Sequence, residues 1–180
     1  LHPRPLSSLI FDIGGGSTEF ILLEGEERRF ARSYPLGVVR LAESSEKPDE
    51  IIDSILDCLE GDLRETGIEL AETTALVGTA GTVTTIAALD LEMTDYDWRR
   101  VNNHRVSRGR VEDFLHRLRP MSVAEREALP GMEKGRGDLI VPGLSIVSGL
   151  LHRFANQEII VSDFGLLEGI VVDLARASVN

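Results

Sequence analysis

Cysteine and long apolar runs are both scarce in this sequence of 180 residues. The single cysteine, Cys58, excludes an internal disulfide, and no residue near it in sequence would activate it as a nucleophile. This cysteine usage favours a reducing compartment, so we predict a cytoplasmic protein. Charged or polar residues interrupt every apolar run well before the roughly 20 residues that a membrane helix needs, so we expect no membrane partner.

Positive charge is also in short supply, since the formal net charge is −11. A general nucleic-acid binder is basic, so we expect neither DNA nor RNA as a partner. Residues 1–90 hold seven Lys and Arg against seventeen Asp and Glu, whereas residues 91–180 hold twelve against thirteen. Five arginines and one histidine lie within residues 99–110, which either grip a polyanion or form a solvated loop and helix start.

The dinucleotide-binding fingerprint and the P-loop are both absent at the glycine-rich stretch that the sequence does contain. Residues 12–19 have the sequence Asp-Ile-Gly-Gly-Gly-Ser-Thr-Glu and lie between two strand-like runs. Three successive glycines allow a ligand to approach the main chain closely, and small residues between strands expose N–H groups that bind phosphate oxygens. The alternative is a plain hairpin whose glycines satisfy turn geometry and whose Asp12 caps the turn.

A carboxylate lies at each end of this stretch. Asp12 and Glu19 are placed to hold a divalent cation against a bound phosphate, or to position a water molecule. The four histidines, by contrast, are too scattered in sequence to predict a metal site: they are His2, His104, His116 and His152.

A second glycine turn occupies residues 78–82, with the sequence Gly-Thr-Ala-Gly-Thr. It follows a predicted strand over residues 73–77 and precedes a short apolar helix that includes Val83, Ile86 and Leu89. A strand, a glycine turn and a helix in succession direct helical N–H groups at an anion. The alternative is an ordinary tight turn with a threonine as the helix N-cap.

The remaining pattern predicts one α/β domain over residues 1–180. Strands are expected at residues 9–11, 20–23, 30–34, 73–77 and 158–161. Helices are expected from Pro48 to Gly67, after the second glycine turn, from Ser107 to Pro120, and over residues 122–129 and 139–150. A last helix is expected to bury Leu166, Leu167, Ile170, Val171 and Leu174. Residues 91–106 receive no assignment, and Tyr96 and Trp98 there fit either core or surface.

This order of elements is typical of a ribonuclease-H-like half, with a mixed five-stranded sheet flanked by helices. Ligands of such sheets bind at strand ends, which is where both glycine turns fall.

Five motifs together resemble the exopolyphosphatase/guanosine pentaphosphate phosphohydrolase family. They lie at residues 12–19, 35–41, 78–82, 126–131 and 162–169, in the family's order and across essentially the whole chain. The resemblance implies the actin, sugar-kinase and heat-shock ATPase superfamily, with two ribonuclease-H-like domains and an active site in the cleft between them. The chain resembles the second domain alone, so we expect its own N-terminal domain as a partner.

The resemblance also implies roles for individual residues. Asp12 would be associated with a metal, Mg²⁺ or a similar cation, and Glu19 would orient that metal or a water. Arg136 and Asp138 resemble a pair that either caps the long helix or contacts the ligand. The residues of the two implied phosphate loops are Gly14, Gly15, Gly16, Ser17 and Thr18, and then Gly78, Thr79, Gly81 and Thr82.

Two departures from the family pattern limit what this chain would do alone. The glutamate expected to activate the attacking water belongs to the first domain, which also carries its own glycine-rich loop. Leu166 stands where relatives often carry arginine. We therefore expect Mg²⁺-dependent hydrolysis of terminal phosphates from polyphosphate or guanosine pentaphosphate in the two-domain protein, and little turnover by this chain.

Three alternatives remain open from the sequence. The chain could be a regulatory module that binds guanosine tetraphosphate without hydrolysis. It could be an ATP-using member of the same superfamily. Either form could be a homodimer.

Overall fold

A computed structural model describes the backbone of residues 5–177 and all side chains in that range except those of Leu166, Arg176 and Ala177. Six strands form one mixed sheet in the spatial order β3-β2-β1-β4-β6-β5. The strands are β1 (Ser7–Ile13), β2 (Thr18–Glu24), β3 (Glu27–Tyr34), β4 (Ala75–Thr79), β5 (Arg105–Ser107) and β6 (Glu158–Val161). β1, β4 and β6 run parallel to one another, and the other three are antiparallel to their neighbours.

The central hairpin follows from an apolar alternation in its two strands. Leu9 and Phe11 of β1 are fully buried, as are Phe20 and Leu22 of β2. Leu9 lies opposite Leu22, and Phe11 lies opposite Phe20, so both strands place their apolar side chains on the core face. This register also sets Asp12 opposite Glu19 at the end of the hairpin.

Eight helices accompany the sheet in the described part of the chain. They are α1 (Val38–Glu43), α2 (Pro48–Glu65), α3 (Ala80–Asp90), α4 (Trp98–Val101), α5 (Arg108–Leu118), α6 (Val123–Glu127), α7 (Ile140–Arg153) and α8 (Leu166–Ala177). α3 lies against β1 and β4, and α7 packs against α1, α2, α3 and α5. Close approach of α2 to α7 requires Gly149, where an added Cβ would come within 2.5 Å of Ile52.

Local sequence signals account for several helix ends. Pro48 occupies the first turn of α2. Gly67 follows the end of this helix and has φ 72°. The Gly67 N–H donates to the Arg64 carbonyl, and the Ile68 N–H donates to the Leu63 carbonyl, which closes the last turn. The Ser107 hydroxyl accepts from the Arg110 N–H at the start of α5. The predicted starts at Pro48 and Ser107 and the predicted end at Gly67 are confirmed.

Four predictions of secondary structure need correction. The sheet has six strands rather than five, because the three-residue edge strand β5 lies at the end of the unassigned residues 91–106 and extends to Ser107. β3 begins earlier, at Glu27. β4 continues to Thr79, two residues past the predicted end, and α3 begins at Ala80 rather than after the glycine turn.

The apolar face of α8 is exposed, not buried as predicted. Leu167 is 74% exposed, Val171 64% and Leu174 63%. With Ile170 these residues recur every three or four positions, which is the pattern of a helix face made to pack against another surface. The Leu166 side chain lies outside the described residues.

None of the helices in residues 5–177 has the length and apolarity that a bilayer crossing requires.

Candidate functional site

Three turns meet at the carboxyl ends of the parallel strands β1, β4 and β6. We call residues 14–17 the glycine loop, residues 78–82 the second turn and residues 162–165 the third turn. The Thr82 hydroxyl donates to the Ile13 carbonyl at 3.3 Å, and the Thr79 hydroxyl donates to the Phe164 carbonyl at 3.1 Å. The Ser162 N–H donates to the Gly78 carbonyl at 2.8 Å. The second turn is therefore bonded to both of its neighbours, and the sheet gathers all three at one edge.

The glycine loop is attached to α1 through its carbonyl groups. The Gly14 carbonyl accepts from the Val38 N–H at 3.0 Å, and the Gly15 carbonyl accepts from Val39 and Arg40 at 2.9 and 3.1 Å. A Cβ at Gly37 would overlap the Gly15 carbonyl. Gly37 has φ −131°, which any residue adopts, so the contact and not the backbone conformation requires glycine there. This explains physically why glycine stands within residues 35–41, which were recognised in sequence only as a family motif.

The carbonyls of the glycine loop are bonded to α1, and three N–H groups of the loop remain available for a ligand. The Gly14 N–H is used within the loop, where it donates to the Ser17 carbonyl at 2.9 Å. The N–H groups of Gly15, Gly16 and Ser17 have no acceptor within residues 5–177, and both of these glycines are exposed. The Thr18 hydroxyl is buried and donates to the Leu36 carbonyl, so it secures the loop from behind. Three adjacent free N–H groups can donate hydrogen bonds to an anion, for example through the oxygens of a phosphate.

Asp12 and Glu19 face each other across the β1–β2 pair, next to these N–H groups. Glu19 Oε1 accepts hydrogen bonds from Ser17 Oγ at 2.8 Å and Ser33 Oγ at 2.6 Å, and its second oxygen has no hydrogen-bond partner in the described chain. Burial, and then the charge of Glu19, raise the pKa of the Asp12 carboxyl above its ordinary value. A cation between the two carboxylates would relieve that repulsion.

This donor set fits Mg²⁺. Mg²⁺ is commonly held by one or two carboxylates together with water and substrate phosphates, rather than by a full protein cage. Within residues 5–177 no group of three or more His, Cys, Asp or Glu side chains could hold a metal. Two carboxylates beside a phosphate-sized row of N–H groups match the requirement of Mg²⁺ and not that of a structural zinc site.

The second turn is more enclosed than the glycine loop. Gly78 belongs to β4, and an added Cβ would lie 2.7 Å from Val83 and 2.8 Å from Phe11. Ala80 has φ 65°, an uncommon conformation for a residue with a side chain. A Cβ at Gly81 would overlap the Arg136 guanidinium, which bonds Glu133. Arg136 is therefore a cation over this turn, and its carbonyl also accepts from Leu139 and Ile140 at the start of α7.

A cavity of about 660 Å³ opens beside the second turn, and sequence reasoning did not find it. Its walls include Thr84, Met93, Tyr96 and Met132. Thr84 also donates to the Ala80 and Gly81 carbonyls, which connects the cavity to the turn. Four residues of the motif at 126–131 line this cavity, but the motif alone does not reveal it, because the cavity forms only when α3 meets two separate loops.

The third turn contacts residues within 91–106, for which the sequence predicted no secondary structure. The Tyr96 hydroxyl donates to Asp163, and the Trp98 ring lies 5.5 Å from the Phe164 ring, centroid to centroid. Both Tyr96 and Trp98 are surface residues, at 57% and 40% exposure. The Gly165 N–H donates to the Glu168 carboxylate at 2.8 Å and lowers the pKa of that group.

The basic stretch at residues 99–110 is largely neutralised by its own surroundings. Arg105 pairs with Glu158, and Arg110 bonds Asp90 at 2.6 Å. His104 also bonds Asp90, at 2.7 Å, and Arg99 lies over the Trp98 ring. These contacts favour the structural alternative over a grip for a polyanion. His2 lies outside the described residues.

The sequence matches the profile of the Ppx/GppA phosphatase family over residues 4–178. The chain belongs to the Ppx/GppA phosphatase family. Its fold is the α/β fold of the actin, sugar-kinase and heat-shock ATPase superfamily, as the motifs predicted.

Relatives of the chain show how much of a longer protein it represents. The chain is 36% identical to exopolyphosphatase 2 of Mycobacterium tuberculosis over 93% of its own length and 55% of the relative's. A bifunctional 3-dehydroquinate synthase/phosphatase of Fusobacterium nucleatum is 28% identical over 92% of the chain and 26% of the relative. The crystal structure of the Aquifex aeolicus member of the Ppx/GppA family superposes with a TM-score of 0.80 at 28% identity, covering 98% of the chain and 58% of that protein. The chain thus spans a little over half the length of the exopolyphosphatase and of the crystal structure.

The structure brings the predicted site residues of both glycine motifs to one edge of the sheet. Four side chains of the two phosphate loops are engaged by the protein itself, namely Ser17, Thr18, Thr79 and Thr82. Sequence reasoning missed Gly37 as a support of the glycine loop and Arg136 as a cation directly over Gly81. Asp138 is exposed at the start of α7, and none of its contacts reaches the three turns.

Proposed function

We propose that the chain binds the terminal phosphate of a polyphosphate or of guanosine pentaphosphate and, together with an N-terminal domain, supports its hydrolysis. The observation that carries this proposal is the pairing of two facing carboxylates with three free N–H groups on the glycine loop. Membership of the Ppx/GppA phosphatase family supports the reaction class.

The roles of the chain's own residues follow from the geometry. The N–H groups of Gly15, Gly16 and Ser17 would donate hydrogen bonds to oxygens of the terminal phosphate and stabilise charge as it develops there. Phosphoryl transfer to water needs in-line positioning and charge stabilisation more than covalent chemistry, so a rigid row of donors suits it. Attachment of the loop carbonyls to α1 keeps these donors in place before the ligand arrives.

Asp12 and Glu19 would hold Mg²⁺ beside that phosphate. When bound, the ion supplies charge neutralisation to an otherwise acidic domain. The hydroxyls of Ser17 and Ser33 both donate to Glu19 Oε1 and hold the carboxylate in place. Oε2 would then be available to bind the ion or a water. Because both hydroxyls hold Oε1 in one place, Glu19 suits the positioning of an ion or a water. We assign the base that activates water to the N-terminal domain.

The exposed face of α8 supports the need for another domain. Leu167, Ile170, Val171 and Leu174 form an apolar stripe that a stable monomer would cover. We propose that the N-terminal domain covers this face, and that the cleft between the two domains is the active site. A homodimer that uses the same face is the competing arrangement. The cytoplasmic location also stays a prediction.

A second candidate function is nucleotide binding without hydrolysis. The cavity beside the second turn favours it, because Tyr96, Met93 and Met132 give it apolar walls that could hold a base. A linear polyphosphate has no group to fill such walls, whereas a nucleotide has a base.

Phosphate release assays separate these possibilities. We expect the chain extended by the N-terminal region of its relatives to release phosphate from polyphosphate or guanosine pentaphosphate with Mg²⁺. The chain alone should bind and not turn over. Efficient turnover by the chain alone would contradict the two-domain proposal. Tight binding of guanosine tetraphosphate by the extended protein, with no phosphate release from any substrate, would favour the regulatory function.

A further inference from the structure

Ser33 of β3 contacts the candidate cation site, although it belongs to none of the five sequence motifs. Its Oγ donates to Glu19 Oε1 at 2.6 Å across the β2–β3 pair, where the two residues lie opposite each other. Glu19 in turn lies opposite Asp12 of β1. Side chains of directly paired residues project from the same face of a sheet, so Asp12, Glu19 and Ser33 form a row across three strands.

The hydroxyls of Ser33 and Ser17 reach the same oxygen of Glu19. Ser17 Oγ donates to Oε1 at 2.8 Å from the glycine loop, and Ser33 donates to it from the neighbouring strand. The 2.6 Å contact lies in the range of hydroxyl–carboxylate hydrogen bonds, which are stronger than those between neutral groups. Oε1 is therefore held by two separate segments, whereas Oε2 has no hydrogen-bond partner within residues 5–177.

Two hydroxyls use up the acceptor capacity of Oε1. A carboxylate offers about two lone-pair sites on each of its oxygens. Ser17 and Ser33 together fill both sites of Oε1. A cation can then bind Glu19 through Oε2 and not through both oxygens at once.

Asp62 shows a different use of a carboxylate. Tyr34 donates to its Oδ2, and Arg32 pairs with its Oδ1, so this group joins β3 to α2 through both oxygens. A ligand could bind Asp62 only by displacing one of these partners. Glu19 is also held by two side chains, but both of them bond one oxygen and the other stays free for a ligand.

The number of free carboxylate oxygens affects which cation a site prefers. Ca²⁺ takes roughly six to eight oxygen ligands and binds carboxylates through one oxygen or both. Mg²⁺ is smaller, keeps several of its waters and is commonly held by one or two carboxylates. A Glu19 that offers one oxygen supplies few protein ligands, which suits Mg²⁺ better than Ca²⁺.

We propose that Ser33 is a positioning residue that limits Glu19 to one free oxygen and thereby favours Mg²⁺ over Ca²⁺ at this site. The inference rests on the proposed function, since it assumes that Asp12 and Glu19 bind a divalent cation. Ser33 acts through Glu19 and needs no contact of its own with the ion.

Thermal unfolding of the chain in matched concentration series of MgCl₂ and CaCl₂, at constant ionic strength, tests this role. An ion that binds only the folded chain raises the unfolding midpoint, and the series gives its affinity. Ser33→Ala frees one lone-pair site of Oε1. We expect the affinity for Ca²⁺ to rise relative to that for Mg²⁺ by about fivefold, the size of one ordinary polar contact. Ser33→Thr keeps a hydroxyl and should keep the wild-type preference.

Ser7→Ala is the matched control. Ser7 is also a strand serine whose hydroxyl bonds a side chain, that of Thr74 at 3.1 Å, but it lies at the opposite end of β1 from Asp12. The variant should leave the preference between the two ions unchanged. Because both ions are compared within one variant, a change in the stability of the metal-free chain does not alter the result.

Three results would overturn the inference while the proposed function stands. Ser33→Ala could change the affinities for both ions by the same factor, or change neither, so that Ser33 does not select the ion. Ser33→Thr could behave as Ser33→Ala does, so that the hydroxyl does not set the preference. Ser7→Ala could shift the preference as much as Ser33→Ala does.

One further result would reject the cation site itself. If neither ion stabilises the wild-type chain more than it stabilises Asp12→Asn, then Asp12 and Glu19 bind no divalent cation. The proposed function would fail at that point, and the role of Ser33 would fail with it.

Discussion

The glycine loop and the second turn are alike in sequence and differ in structure. Both follow a parallel strand, and both combine glycine with threonine or serine. In the glycine loop the carbonyls are bonded to α1 and three N–H groups are free. In the second turn, the hydroxyls of Thr79 and Thr82 are bonded to neighbouring segments and an arginine lies over Gly81.

This difference shows that glycine has at least two roles at the same edge of the sheet. Gly15 and Gly16 are exposed and give a ligand access to the main chain. Gly78 is required by packing, because Val83 and Phe11 fill the space of a side chain. In the proposed function the glycine loop contacts the ligand, whereas the second turn largely joins β1, β4 and β6. Four substitutions test this distinction.

Gly37→Ala should have the largest effect. Its Cβ would overlap the Gly15 carbonyl, so the glycine loop must shift away from α1. We expect tripolyphosphate binding to weaken by about 100-fold, equivalent to about 2.7 kcal/mol, as the row of N–H groups loses its arrangement. Calorimetry measures the affinity, and thermal unfolding checks that the variant folds.

Gly61→Ala is the control for this substitution. Gly61 lies in α2 with open space around its Cβ position, so alanine there should raise stability slightly and leave affinity alone. Normal phosphate binding by Gly37→Ala would mean that the α1 contacts do not organise the loop.

Gly78→Ala should lower stability and spare binding. Its Cβ would meet Val83 and Phe11 in the core, and overpacking of this kind costs about 1–3 kcal/mol. Denaturant unfolding gives the free energy, and titration of the folded protein gives the affinity. A loss of affinity with unchanged stability would show that the second turn resembles the glycine loop in function.

Asp12→Asn should separate metal binding from folding. The raised pKa means that the native state favours the protonated carboxyl, so stability falls as pH rises from the ordinary value of 3.8 toward the native one. Without a divalent cation, Asp12→Asn should therefore raise the free energy of unfolding at neutral pH relative to the wild type. The gain should be less than about 1 kcal/mol, because the group is partly exposed to solvent. At pH 3 the two proteins should be equally stable.

The same variant should lose the stabilisation that Mg²⁺ gives the wild type, and Glu19→Gln should also weaken it. Thermal unfolding with and without Mg²⁺, at both pH values, measures these effects. An unchanged Mg²⁺ response in both variants would make the two carboxylates structural.

Thr82→Val should have the smallest effect. It removes the hydroxyl that donates to the Ile13 carbonyl at 3.3 Å and keeps the side-chain shape. We expect a loss of about 0.5–1 kcal/mol in the free energy of unfolding and no change in phosphate affinity. Weaker binding at unchanged stability would identify the Thr82 hydroxyl as a ligand group.

Much of the fold could be predicted from local patterns. The alternation in β1 and β2 and the three-four spacing in α2 are strong because one face of each element is buried. The edge strand β5 was missed because three residues carry too little periodicity. The exposure of α8 could not be predicted, since an apolar helix face does not reveal which surface covers it.

The site, too, was predictable only where local sequence patterns determine it. Residue types near each glycine motif indicated phosphate and cation chemistry, because exposed N–H groups bind phosphate oxygens and carboxylates bind cations. The contacts that attach the glycine loop to α1 join residues more than twenty positions apart, as Arg40 and Gly16 do, and no local pattern predicts them. Arg136 reaches Gly81 from a loop 55 residues later, so its position also needed the tertiary structure.

The central claim is that the glycine loop, Asp12 and Glu19 together bind phosphate with Mg²⁺. The most direct test is a calorimetric titration of the chain with inorganic tripolyphosphate, with Mg²⁺ and then with a chelator. We predict binding in Mg²⁺ and at least about tenfold weaker binding without it, because the acidic surroundings then repel the ligand. Equal affinity under both conditions, or no binding in Mg²⁺, would contradict the claim.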